Sequence, residues 1–307
     1  MKAAPKYQPV ALAKLYTLLA SQQTSMNTQF AFEPILENIA METAEASDVI
    51  RIEVKLFGKF EVAINDQAVN RWPSRKAKYL LAYLMYHHKR PQSRDVLIEK
   101  FWPHSTQESG RNSLNVAIHA IRKACKEVNP EHAYITYRNE YYHLDAELEI
   151  YTDVDHFQNS CAMARQMGEL GDEEQMIEYL EHAREQCQED FLEDNLYESW
   201  TSNIRAHCRE KRLSILEQLS EYYSVHGELE RSIDLYKAVL ELDNCREDIH
   251  RRLMEVYLSV GKRTLAIRQF CQCREVLKEE LGIEPEMETV QLFEQMKSQK
   301  KSDNFPT

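Results

Sequence analysis

The sequence lacks the features that mark several large classes of protein. Its 307 residues include only seven glycines, and no apolar run is long enough to cross a bilayer. So few glycines leave little room for a phosphate-cradling loop, and no nucleophile elbow, P-loop, HExxH sequence or dinucleotide fingerprint is present. These absences argue against catalysis and predict a soluble, non-enzymatic protein of about two domains.

The seven cysteines are too scattered to indicate a disulfide framework or a metal site. Cys271 and Cys273 are the nearest pair, but on a helix two residues apart they would point about 200° away from each other. We therefore expect reduced thiols, no metal and no cofactor. The start of the chain lacks the apolar core and cleavage site of a secretory leader, which favours a cytoplasmic location.

The net charge of −12 hides a strong partition along the chain. Residues 71–126 hold 12 lysines and arginines against 3 aspartates and glutamates, a local charge of +9. Residues 127–155 carry −7 and residues 156–307 carry −12. A basic patch spread over three successive helical segments suits a long polyanion such as DNA better than a small anion.

Two strands are predicted just before the basic region. Residues 50–64 alternate apolar and polar positions around Gly58, which predicts two antiparallel strands followed by a turn at Asn65-Asp66. Helical spacing then predicts one helix capped by Ser74 and another that starts at Ser93.

A third helix is predicted from about Ser109 to Val128, and its segment 111–123 is both cationic and amphipathic. Beyond Pro130 the sequence alternates again and is expected to turn at Arg138-Asn139, as in a hairpin. Strands, three helices and a hairpin are the order of a winged helix with an N-terminal β-platform. Such a domain holds one helix out to fit a DNA groove.

The second half is almost entirely helical in pattern. Gly227 and Gly261 are 34 residues apart, which is the tetratricopeptide period. The predicted fold is therefore mainly α with a small α+β domain, a winged helix-turn-helix followed by a TPR-like repeat domain. We place the domains at 1–49 (an N-terminal helical or linker segment), 50–150 (winged helix), 151–299 (helical repeats) and 300–307 (tail). Helices are expected near 156–168, 172–187, 198–226, 228–241, 247–260, 262–281 and 286–298.

Three stretches carry a family resemblance: WPSRKAKYLLAYLMYHHKRPQSRDVLIEKFWP, RNSLNVAIHAIRKAC and the ELGIEP that ends the last repeat. Over residues 50–298 the chain resembles the Streptomyces antibiotic regulatory proteins, which join an OmpR-type winged helix to a bacterial transcriptional activator domain. The resemblance implies a transcriptional activator that binds promoter repeats in double-stranded DNA, contacts RNA polymerase and pairs as a homodimer on repeated half-sites. Some relatives carry a phosphoreceiver domain of two-component systems, and part of residues 1–49 is similar to its last helix.

The resemblance also assigns roles to residues of the third helix and its surroundings. The positions expected to contact bases are Asn112, Ser113, Asn115, Val116 and His119. Positively charged side chains expected to contact phosphates are Arg75, Lys76, Lys78, Arg94, Arg111, Arg122 and Lys123, with packing or a structural ion pair as the alternative for Arg122. Arg138 and Asn139 are expected at the tip of the wing, near the minor groove or a phosphate.

Two other functions remain open at this stage. The helical repeats could make the protein an interaction adaptor whose winged helix no longer binds DNA. They could instead form a sensor that binds an anionic nucleotide at Arg251, Arg252 or Arg263, although these arginines could equally cover helix surfaces and pair with the abundant glutamates.

Overall fold

The computed structural model describes residues 49–195 and 198–298. The predicted N-terminal segment, apart from its last residue, and the predicted tail therefore lie outside the described residues. Among the helices that are described, none combines the length and apolar character needed to cross a membrane. All seven cysteines are free, and Cys125, Cys187, Cys208 and Cys273 are buried.

The described part of the chain begins with a four-stranded sheet whose strands lie in the order β3-β2-β1-β7. The strands β1 (Ile50–Lys55) and β2 (Glu61–Ile64) pair antiparallel, and β3 (Gln67–Ala68) follows the turn. Every second residue of β1 is buried, as the alternating sequence predicts. The fourth strand, β7 (Leu148–Thr152), comes from the far end of the winged helix and was not predicted.

Three helices follow the platform: α1 (Arg75–Tyr86), α2 (Arg94–Phe101) and α3 (Gln107–Val128). Ser74 caps α1 as predicted, since its hydroxyl accepts from the Ala77 N–H at 3.0 Å. The third helix begins two residues before its predicted start because the cap is Thr106, whose hydroxyl accepts from the Ser109 N–H at 3.3 Å.

The wing is a three-stranded sheet in the order β4-β6-β5. Its hairpin joins β5 (Ile135–Arg138) to β6 (Tyr141–Leu144), and the two-residue strand β4 (Gln92–Ser93) pairs with the outer side of β6. The turn lies at Asn139-Glu140, one residue beyond the predicted position. Both residues have positive φ, as a two-residue hairpin turn requires.

The rest of the described chain consists of helices that pack in sequential pairs, α4 with α5, α6 with α7 and α8 with α9, with α10 against α9. Each lies within a few residues of its predicted position. Their bounds are α4 Asp153–Leu170, α5 Glu173–Gln186, α6 Ser199–Val225, α7 Leu229–Leu242, α8 Glu247–Ser259, α9 Arg263–Val276 and α10 Met287–Ser298, with a π-helical turn at Leu277–Leu281.

The 34-residue period corresponds to two equivalent helix ends. Gly227 and Gly261 both have positive φ, at 80° and 71°. The N–H of the residue after each glycine reaches back to a carbonyl of the preceding helix, Tyr223 in the first repeat and Tyr257 in the second. The two glycines therefore end equivalent helices with the same cap, which explains why they recur at this spacing.

Backbone hydrogen bonds join the platform to the helical repeats. Residues 56–58 and 190–193 pair in an antiparallel bridge centred on Phe57 and Phe191. The Asp153 carboxylate accepts from the N–H groups of Leu56 and Phe57 at 2.8–2.9 Å. These bonds satisfy buried backbone donors beyond the end of β1, where the sheet offers no further partner strand.

Aromatic packing closes the same junction. Trp200 at the start of α6 packs edge-to-face on Tyr83 at 5.1 Å and on Phe191 at 5.9 Å between ring centroids. The Arg205 guanidinium donates to the carbonyls of residues 191, 192 and 195, which fixes the loop in front of Trp200. The junction therefore has both a hydrogen-bonded edge and a hydrophobic centre.

The Asp153 carboxylate offers a direct test of this junction. Asp153→Ala leaves buried backbone N–H groups without an acceptor, so we expect the free energy of unfolding to fall by about 2–3 kcal/mol. Asp234→Ala removes a carboxylate that is 80% exposed and should change it by less than about 0.5 kcal/mol. Urea denaturation of the full chain measures both, and equally small effects would contradict the importance of Asp153.

A second prediction concerns acid stability. Burial near Tyr83 and Tyr86, with the positive charges of Arg90 and Lys100, lowers the pKa of His87 to about 4. In the unfolded chain His87 has the ordinary histidine pKa of about 6.5. It is therefore protonated there in a pH range in which it stays neutral in the native state. Stability from this group falls as the pH falls from about 6.5 towards 4.

We expect the free energy of unfolding of the wild type to decrease by up to about 1.4 kcal/mol per pH unit more than that of His87→Gln in this window. Denaturation at pH 7.5, 6 and 5 measures the difference. The two slopes should coincide between pH 7.5 and 8.5, where the histidine is neutral in both states. Parallel curves down to pH 5 would contradict the prediction.

Candidate nucleic-acid interface

Helix α3 presents one apolar face to the core and one polar face to solvent. Its inward positions are buried as the spacing predicts, and they are Leu114, Ala117, Ile118 and Ile121. Four of the five positions expected to contact bases are exposed, and Ser113 is half-buried. Val116 is 70% exposed, so its methyl groups are accessible to a partner. The polar face of α3 is thus accessible along two turns.

Of these five side chains, only Asn115 has a hydrogen-bond partner within the described chain. Its Oδ1 accepts from the Tyr142 hydroxyl at 3.3 Å. Tyr142 lies on β6, so this bond connects the wing to the outward face of α3.

The cations around α3 divide into two groups. Arg111 and Lys123 are exposed and have no ion pair or hydrogen bond to any described residue. Arg122 instead donates from Nε and Nη2 to the Ile135 carbonyl at 3.0 and 2.8 Å. Arg122 thereby fastens the first strand of the hairpin to α3, which supports the structural role left open for it by the sequence.

The wing is also held at its other end. The Arg94 guanidinium donates to the Tyr137 hydroxyl at 2.9 Å and forms an ion pair with Glu140, while the Arg94 N–H donates to the Glu140 carbonyl. Arg138 and Asn139 remain exposed at the tip. Because the Arg94 side chain is only 19% exposed and binds residues of the wing, its positive charge stabilises the wing and is not free for a phosphate contact.

The predicted phosphate contacts on α1 have partners inside the chain. Arg75 donates to the Asp194 carbonyl at 3.0 Å, and Lys78 pairs with the Asp194 carboxylate at 3.2 Å. Lys76 pairs with Glu198 at 3.4 Å. The prediction for these three side chains missed this arrangement because their partners lie about 120 residues away in sequence, in the helical domain.

The arginines of the proposed nucleotide sensor are likewise engaged. Arg251 donates to the Thr289 hydroxyl at 2.8 Å, Arg252 pairs with Glu221 at 3.2 Å, and Arg263 donates to the Met296 carbonyl. These contacts match the alternative in which the arginines cover helix surfaces. They leave the sensor hypothesis without a free cationic cluster among its named residues.

One group of potential metal ligands occurs in the described part of the chain. His132, Asp145 and Glu147 bring one ligand atom each within 4.8 Å of one another, at the base of the hairpin opposite its tip. The His132 Nε2 lies 3.3 Å from a Glu147 oxygen, and Glu147 is 72% exposed. We assign no metal to this group, since an ordinary histidine–glutamate contact accounts for its geometry.

Two family models match the chain in succession. The C-terminal domain of transcriptional regulatory proteins matches residues 72–141, and the bacterial transcriptional activator domain matches residues 152–297. The first match contains α1 to α3 and the tip of the wing, and the second contains the helical repeats. No curated protein gives a significant match.

The solved structure of a bacterial protein has a similar fold. Mycobacterium tuberculosis EmbR, in a complex with a low-affinity phosphopeptide, superimposes with a TM-score of 0.64 at 20% identity, over 82% of this chain and 68% of its own. MamA (TM-score 0.28, 13% identity, 64% of this chain and 94% of its own) and a Podospora anserina putative kinesin light chain (0.32, 14%, 72% and 90%) are more distant.

An OmpR-type winged helix followed directly by a bacterial transcriptional activator domain is the domain pair that the sequence motifs indicated. The fold agrees with it from β1 to α10, including the platform, the wing and the TPR-like helix pairs. The chain is a transcriptional regulator in which the C-terminal domain of transcriptional regulatory proteins precedes a bacterial transcriptional activator domain, the architecture predicted from its resemblance to the Streptomyces antibiotic regulatory proteins.

Proposed function

We propose that this regulator binds double-stranded promoter DNA in a sequence-specific manner, with α3 in the major groove and the wing beside it. The observation that carries the proposal is the outward face of α3, where exposed Asn112, Asn115, Val116 and His119 lie between cations without partners in the described chain. A helix of this kind fits the major groove, which is about 12 Å wide and presents a distinct pattern for each base pair.

We assign roles to these side chains according to whether their polar groups already have partners in the described chain. Asparagine and histidine present hydrogen-bonding groups to base edges, and Val116 can contact a thymine methyl. Arg111, Lys123 and the wing-tip Arg138 are the cations that we assign to phosphates. Arg94 and Arg122 are assigned to holding the wing, and Arg75, Lys76 and Lys78 to the junction with the helical domain.

Charge supports the same orientation. Residues 71–126 carry +9, whereas the helical repeats are strongly acidic and would be repelled by phosphate. The basic region is also where α3 lies. An approaching duplex is therefore attracted to the winged helix and kept away from the repeats.

The helical repeats are the part that we propose to contact RNA polymerase, in a regulator that acts by recruitment and not by catalysis. Two copies would occupy repeated half-sites as a homodimer, with a spacing near one helical turn, about 10–10.5 bp. Since promoter binding requires contact with DNA, we propose that the regulator is located in the cytoplasm.

The adaptor function is the alternative from another class. It requires that the winged helix has lost DNA contact, and the accessible polar face of α3 argues against that loss. Neutralising Arg111 and Lys123 distinguishes the two functions in cells. A regulator loses activity at its promoters, whereas an adaptor retains partner binding and activity.

The division of the cations predicts different effects of two lysine substitutions on DNA binding. Lys123→Ala should weaken binding to all duplexes and reduce the salt slope of log K by about 1, because one phosphate contact is lost. Lys76→Ala, whose ammonium pairs with Glu198, should leave the slope unchanged. Fluorescence anisotropy at salt concentrations from about 50 to 200 mM measures the salt slope of both variants. Equal slopes in the wild type and Lys123→Ala would count against the assignment.

The neighbouring positions 122 and 123 give a matched pair for stability. Arg122→Ala removes two hydrogen bonds to the Ile135 carbonyl, so we expect the free energy of unfolding to fall by about 1.5–3 kcal/mol. Lys123→Ala should change it by less than about 0.5 kcal/mol, since its side chain is exposed. Thermal and urea denaturation report the difference. A stability loss at 123 with none at 122 would reverse the two roles.

A further inference from the structure

The hydrogen bond between Tyr142 and Asn115 links a fixed residue to an exposed one. The Tyr142 side chain is 4% exposed and lies on the central strand of the wing, opposite Gln92 on β4 and Tyr137 on β5. Its ring packs on Tyr137 with centroids 4.8 Å apart. Strand pairing on both sides and this packing hold the Tyr142 hydroxyl in place, so the bond at 3.3 Å orients the amide of the exposed Asn115.

The direction of this bond decides which edge of Asn115 faces solvent. A buried tyrosine hydroxyl needs an acceptor, and within the described chain Asn115 accepts the one hydrogen bond that the Tyr142 hydroxyl makes. With Oδ1 turned towards the phenol, the Nδ2 group and its two N–H donors have no partner in the described chain and remain available to a ligand. An asparagine without such a partner can present either its oxygen or its nitrogen.

The donors and acceptors that the amide presents determine which purine it recognises in the major groove. Adenine is read by an asparagine that donates to N7 and accepts from N6, which needs both Nδ2 and Oδ1. Guanine presents two adjacent acceptors, N7 and O6, and needs donors alone. The Tyr142 hydroxyl uses one of the two lone pairs of Oδ1 and fixes the orientation of the amide, so that Asn115 offers its Nδ2 donors, the set that suits guanine.

We infer that Tyr142 is a positioning residue that orients Asn115 to read guanine in preference to adenine. This inference rests on the proposed function, since it requires α3 in the major groove. Asn112, one turn earlier on the same helix and without a hydrogen-bond partner in the described chain, is the internal comparison: its amide is free to read adenine.

The test uses the full chain and duplexes that differ at one base pair, the pair whose preference disappears in Asn115→Ala. The wild type should bind the duplex with guanine about tenfold more tightly than the one with adenine. Tyr142→Phe should reduce that ratio to about one, because the freed amide can turn. Its salt slope and its affinity for random duplex should stay unchanged. Tyr141→Phe removes a hydroxyl from the adjacent, exposed wing residue and should keep the wild-type ratio.

A second variant does not depend on the packing of Tyr142. Asn115→Asp changes an exposed side chain and keeps the acceptor for the Tyr142 hydroxyl, but it removes both outward donors. Its preference at the same base pair should move from guanine to cytosine, whose N4 group donates. If Tyr142→Phe does not fold, this variant still tests whether the Nδ2 donors of Asn115 read guanine, and a preference left at guanine in Asn115→Asp would contradict the inference.

Three results would overturn the inference while leaving DNA binding intact: a wild-type preference for adenine at this pair, an unchanged ratio in Tyr142→Phe, or an equal loss of affinity for every duplex in that variant. The last of these would mean that Tyr142 only supports the fold. A wild-type protein without preference among any duplexes would overturn the inference and the proposed function together.

Discussion

The antiparallel bridge between residues 56–58 and 190–193 is the constraint on which the rest of the molecule depends. It satisfies backbone groups at the end of the platform that would otherwise be buried without partners, and Asp153 completes it from the start of α4. Trp200 then fills the space behind the bridge. Because these contacts use the backbone and the core, the winged helix and the repeats share one continuous hydrogen-bonded and packed interior at this junction.

This junction determines which charges remain for DNA. The cations at the start of α1 are drawn to Asp194 and Glu198, and those that brace the wing are drawn to the Ile135 carbonyl and Glu140. A positively charged region of +9 is therefore not a uniform DNA-binding surface. Arg111 and Lys123, which have no partner in the described chain, lie on α3 itself, so free positive charge remains beside the face where base contacts are proposed.

Local signals in the sequence predicted much of this fold. Alternation predicted β1 and β2, the serine before α1 predicted its cap, and the spacing of the glycines at 227 and 261 predicted the helical repeat. The two-residue strand β4 and the platform strand β7 were missed because pairing, not composition, defines them. For the same reason the charge pattern could not separate Lys76 from Lys123: one has a partner 122 residues away, and the other has none in the described chain.

Selection of bound sequences from a random duplex library at physiological salt tests the central claim most directly. The account predicts enrichment of one motif that recurs as a repeat, and loss of its information at a single base pair when Asn115 is replaced by alanine. Bound sequences that remain as random as the starting library would contradict it, whatever the affinity of the protein for DNA.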